Sequence, residues 1–163
     1  RHIDNYKMAL MHKSIMHRNS KGKPVNNERL EFLGDSVLGM VTAARLYALY
    51  PDMPEGKMSR LRAELVCEQA LHGVALTLHL GDYIRLGHGE ERSGGRERPS
   101  ILADAVEAVI AAMYLDGGLE TARTFVTTFW DKDAGARAIK MHIYNQEQSI
   151  MNQIQQYKGS SRV

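Results

Sequence analysis

The chain has 163 residues, of which 44% are hydrophobic, enough for one domain with a real core. Its formal charge of +2 and isoelectric point near 8.7 fall well short of the basic excess that alone announces a nucleic-acid partner, so any phosphate contact must come from local clusters. The longest apolar run, 101–115, is interrupted by two carboxylates and falls short of the roughly 18 to 20 residues a membrane crossing needs, so no membrane partner is expected. The single cysteine, Cys67, has no partner in the chain, and no apolar signal segment opens it at Arg1; a cytoplasmic location is the expectation.

Four prolines, abundant alanine, leucine and methionine, and few alternating polar and apolar stretches predict an all-α fold of about seven helical segments. The first is expected over 4–17, followed by a polar loop, 18–25, with Gly22 and Pro24 as breakers. Asn26 or Asn27 can then cap a long helix reaching Tyr50, since an asparagine side chain accepts from the free N–H groups of a first turn, and Pro51 ends it. After a loop at 51–56, one helical stretch is expected to run to Leu80 with a bend at Gly73. The glycine-rich, charged segment 87–98 has no periodic apolar face and reads as a loop or short helix. Pro99 and Ser100 open the next helix and Gly117-Gly118 closes it; further helices are expected over 119–130 and 134–157.

Two of these helices carry acids where acids are costly. From Ile101 to Leu115 every side chain is apolar or alanine except Asp104 and Glu107, which lie three apart on one side of a helix that belongs at the centre of the fold. An uncompensated charge there would cost about 3–5 kcal/mol. The helix beginning near Asn27 repeats the conflict: Glu28, Glu31 and Asp35 fall within roughly 60° of one another among Leu30, Leu33, Val37, Leu38 and Val41. Packed side by side, the two helices would form an all-oxygen pocket suited to magnesium, with manganese as a substitute. The alternative is that the acids pair with Arg29, Arg60 or Arg62.

A carboxylate-bound divalent ion supports phosphoryl transfer without a serine, cysteine or histidine nucleophile. The seven histidines show no zinc-ligand spacing. Ser93-Gly94-Gly95-Arg96 lacks the lysine and spacing of a nucleotide-binding loop, so no organic cofactor is expected.

The run Asn27-Glu28-Arg29-Leu30-Glu31-Phe32-Leu33-Gly34-Asp35-Ser36-Val37-Leu38 resembles the signature helix of the ribonuclease III family. Three further stretches agree in order: Ala9-Leu10-Met11-His12-Lys13-Ser14, Gly89-Glu90-Glu91-Arg92-Ser93-Gly94-Gly95-Arg96, and Ser100-Ile101-Leu102-Ala103-Asp104-Ala105-Val106-Glu107-Ala108. The resemblance implies the all-α endonuclease-domain fold over 1–145, with 146–163 as a linker or the start of a double-stranded-RNA-binding domain. It places metal ligands at Glu31, Asp104 and Glu107, with Asp35 acting through water or a nearby contact, and makes Asp35 and Glu107 catalytic. Glu28 and Glu55 match accessory acids.

The implied activity is magnesium-dependent hydrolysis of double-stranded RNA to 5′-phosphate and 3′-hydroxyl ends, in processing of rRNA, mRNA and small RNAs, by a homodimer with one site per subunit. Phe32 matches a residue that plugs the partner subunit; a core phenylalanine is the other reading of it. Lys21, Lys23, Lys57, Arg60, Arg92, Arg96 and Arg98 can contact phosphates or simply be solvated. Two other functions stay open at this point: a catalytically silent RNA-binding or dimerisation module on the same scaffold, and a different metal-dependent phosphohydrolase.

Overall fold

The computed structural model describes residues 3–132, and among them the regular elements are all helical: α1 (Ile3–Ala9), α2 (Glu28–Leu49), α3 (Glu55–Leu65), α4 (Glu68–Thr77), α5 (His88–Arg92) and α6 (Pro99–Lys132), with 3-10 turns at Leu80–Asp82 and Gly95–Glu97. The all-α expectation is borne out. The helix expected over 134–157 and the domain boundary at 145 lie outside the described residues.

α6 is the axle of the domain. Ile101, Leu102, Ala103, Ala105, Val106, Ala108, Ile110, Ala111 and Ala112 are all buried, so apolar surface on every side of the helix is covered. Its alanines let neighbouring helices approach closely. α2 packs along it through Leu30, Gly34, Val37, Leu38, Val41, Thr42 and Leu46, the three-and-four spacing of one helical face. By length and composition α2 would also suffice to cross a membrane. Here its apolar face is used against α6, and its polar stripe carries Glu31 and Asp35, which a bilayer centre would penalise.

The sequence places the start of α2 well and divides its capping between the two asparagines. The Asn26 side-chain oxygen accepts the Glu28 N–H at 3.2 Å, while Asn27, buried at the helix mouth, donates from its side chain to the Ala9 carbonyl at 3.2 Å. Asn27 therefore ties α1 to α2 and leaves the free N–H to its neighbour.

Two expected helices are shorter than their patterns suggest. The first ends at Ala9, not near His17, because tertiary partners take the backbone groups that would continue it. Arg85 N–H donates to the Leu10 carbonyl at 2.8 Å, His12 N–H to the Arg85 carbonyl at 3.0 Å, and Asn27 N–H to the Met11 carbonyl at 2.8 Å. The stretch expected to run unbroken to Leu80 is broken instead at Val66 and Cys67, where Cys67 is extended (φ −69°, ψ 159°) and becomes the residue before α4. Gly73, the expected bend, lies inside α4.

The Gly117-Gly118 signal holds. Gly118 adopts φ 76°, ψ −177°, backbone that only glycine enters without strain, and the helical axis breaks there before resuming through Lys132. The second arm buries Ala122, Val126 and Trp130 against the core.

Candidate metal centre

Where α2 crosses α6, Gly34 lies directly on the backbone of Glu107: a Cβ at position 34 would stand 1.8 Å from the Glu107 carbonyl oxygen. That contact sets the site. Glu31 and Asp35 lie one turn before and one residue after Gly34, and Asp104 and Glu107 project from α6 towards the same crossing. Carboxylate oxygens of Glu31, Asp104 and Glu107 all lie within 4.8 Å of one another, each side chain half-buried.

The remaining expected acids are arranged around this trio differently. Asp35 is exposed at its edge, but its charge raises the proton affinity of Glu107 and Glu31. Glu28, half-exposed, pairs with Lys13 at 3.4 Å and its charge acts on Glu31. Glu55 is not brought into the cluster within one chain: it opens α3, exposed, and accepts a hydrogen bond from the Ser59 hydroxyl at 2.6 Å. Glu68, at the start of α4, is the further acid whose charge Asp104 feels.

The electrostatics are those of carboxylates crowded together. Burial, reinforced by Asp35, Asp104 and Glu31, pushes the Glu107 carboxyl up to about 8. Burial and the neighbouring Asp104 raise Glu31 in the same direction, and burial raises Asp104 against the opposing charges of Lys13 and His12. The arginine alternative fails: among the described residues no ion pair joins the trio to Arg29, Arg60 or Arg62. Like charges held this close are stable only when protonated or when a cation joins them. An oxygen-only donor set fits a hard divalent ion.

Sequence reasoning missed the loop that faces these acids. His12 is buried, its Nδ1 2.8 Å from the Ser14 hydroxyl and accepting the Ser14 N–H at 3.2 Å, and burial holds its pKa below the usual value. Read as the tail of a helix, the segment gave no sign that it would be tied to Arg85 and Asn27 beside these acids. Two expected phosphate contacts are engaged elsewhere. Arg96 donates to the Gly81 and Ile84 carbonyls at 2.5 and 2.8 Å and to both Glu91 oxygens, clasping the segment 81–96. Arg98 pairs with Glu90 and reaches the Ser93 hydroxyl. Lys21, Lys23, Lys57, Arg60 and Arg92 remain exposed.

Fold and pocket together define an all-helical domain able to hold a divalent cation on facing carboxylates. The family model described as ribonuclease-III-like matches residues 4–133. A curated Ribonuclease 3 of Heliobacterium modesticaldum is 53% identical over 131 residues, 80% of this chain and 55% of that protein. That of Caldanaerobacter subterraneus subsp. tengcongensis is 47% identical over 148 residues, 91% of this chain and 64% of that protein. Among solved structures, the nuclease domain of ribonuclease III from Campylobacter jejuni, described for structural flexibility in a region involved in dimer formation, superposes with a TM-score of 0.72 at 42% identity, covering 79% of this chain and 86% of that one. The chain belongs to the ribonuclease-III-like family. It spans about half the length of the curated relatives it matches.

Proposed function

We propose that this chain is the catalytic domain of a magnesium-dependent endoribonuclease that hydrolyses double-stranded RNA as a cytoplasmic homodimer in RNA processing. The observation that carries the reading is the convergence of Glu31, Asp104 and Glu107, with raised proton affinities and no arginine paired to them among the described residues, in a member of this family.

Glu31, Asp104 and Glu107 would hold the ion, with Asp35 beside them. An ion held there would supply an acidified water and charge neutralisation at the phosphate. Asp35, exposed at the pocket edge, would orient the attacking water and take its proton. The water oxygen bonds to phosphorus, the bond to the 3′ oxygen breaks, and that oxygen gains a proton, leaving 5′-phosphate and 3′-hydroxyl ends. The narrow major groove of A-form RNA is closed to side chains, so recognition falls on shape, phosphates and 2′-hydroxyls, which disfavours DNA.

A two-fold dimer is supported by an uncovered stripe on α2. Phe32, expected as either core or plug, is 78% exposed, and Tyr47 on the same side is 76% exposed. Phe32 therefore lies outside the core of its own chain and is available to a second copy.

The test is incubation of the whole chain with long duplex RNA and Mg2+, beside duplex DNA and single-stranded RNA. Short duplex products that disappear in Glu107→Gln and Asp104→Asn are expected. RNA bound but left uncut would favour a silent binding module, and DNA cut equally well would point to another phosphohydrolase.

A further inference from the structure

Among the described residues, the lysine that meets the acids around the pocket is Lys13, through Glu28. Lys13 sits in a loop tied down on both sides: Asn27 N–H donates to the Met11 carbonyl at 2.8 Å, His12 N–H to the Arg85 carbonyl at 3.0 Å, and Gly87 N–H to the Ser14 hydroxyl at 2.7 Å. The backbone around Lys13 is thus joined to the head of α2 on one side and to segment 85–87 on the other. From there its ammonium reaches the Glu28 carboxylate at 3.4 Å, with 62% of the lysine side chain still in solvent. The charge of Lys13 also acts on Glu31 and Asp104, offsetting part of what burial does to them, and among the described residues no arginine does the same.

We infer that Lys13 is the resident counter-cation of this pocket: it competes with an entering divalent ion for the acids and, once displaced, presents its ammonium to a phosphate of the duplex at the pocket mouth. The inference rests on the proposed reading of the trio as a cation site. An exposed ion pair at this distance is weak enough to exchange, while a unit charge held on Glu28 and felt by Glu31 and Asp104 still opposes a divalent ion appreciably. A purely structural lysine would leave ion affinity unmoved. A counter-cation moves ion and RNA affinity in opposite directions.

The experiment compares the parent chain with Lys13→Met and Lys13→Arg. Mn2+ affinity is measured without RNA, by calorimetry or by the resonance of free Mn2+, and KM for duplex RNA is measured at saturating Mn2+. In Lys13→Met, Mn2+ should bind about three- to tenfold more tightly. Its KM should rise, and the log–log dependence on salt should lose about one unit of slope, that of one phosphate contact. Lys13→Arg should keep parental values. If the parent binds Mn2+ and Lys13→Met binds it no more tightly, or KM fails to rise, the inference falls while the cation site stands. If the parent binds no Mn2+, both fall together.

Discussion

Gly34 of α2 rests on the Glu107 carbonyl of α6 so closely that a single methyl group at position 34 would overlap it, at 1.8 Å. The obstacle is backbone, which cannot rotate away, so the helices must separate. Gly34→Ala is expected to destabilise the chain by about 1–3 kcal/mol or more, the cost of overpacking, and to abolish stabilisation by Mn2+ as the acids move apart. Gly73→Ala is the control: nothing lies within 4 Å of a Cβ there, and the gain in helix propensity should stabilise by up to about 1 kcal/mol. Urea midpoints with and without Mn2+ check both; equal midpoints for Gly34→Ala and the parent would refute the packing argument.

The crowding at Glu107 has a pH signature. Its carboxyl is raised from 4.5 to about 8 on folding, so between those values the native state holds a proton the unfolded chain has released. Stability from this group is fully present below pH 4.5 and is lost as pH rises through about 8. In EDTA the parent chain should lose stability over that window, whereas Glu107→Gln should show a flatter profile and exceed the parent above pH 8. Divalent ions should reverse the parental trend, because they replace the proton. Urea titrations at stepped pH provide the measurement, and a parental profile rising through the window would contradict the sign.

Phe32 stands 78% exposed on the uncovered stripe of α2. Truncation there removes no contact within its own core, so Phe32→Ala should leave the unfolding midpoint of the dilute chain unchanged within about 0.5 kcal/mol. It should nevertheless shift sedimentation towards the monomer. A variant that stays dimeric at the same concentrations would show that the face is not the interface.

Arg96 acts as a clasp, and its charge alone does not explain its place. Its guanidinium satisfies the carbonyls of Gly81 and Ile84, so Arg96→Ala should destabilise by about 1–3 kcal/mol. Glu91→Gln removes only the exposed partner and should be far milder. Thermal melts of the two variants separate the roles, and equal losses would show that the ion pair dominates.

The helix-forming character of the chain, the apolar all-round surface of 101–115, the glycine break after it and the acids at Glu31, Asp35, Asp104 and Glu107 follow from local pattern, because periodicity and propensity are properties of neighbouring residues. Which acids share one pocket was decided by a crossing between helices about seventy residues apart in sequence. Glu31 joined the trio, Asp35 stayed at its edge and Glu55 remained outside it, according to where Gly34 lets α2 settle on α6. The early end of α1 was likewise decided at long range: Arg85 and Asn27 take the backbone groups of residues 10–12, and no neighbour of those residues in sequence encodes that competition. The same bonds bring Lys13 to Glu28 beside the pocket, so that counter-charge became visible only once the chain had folded.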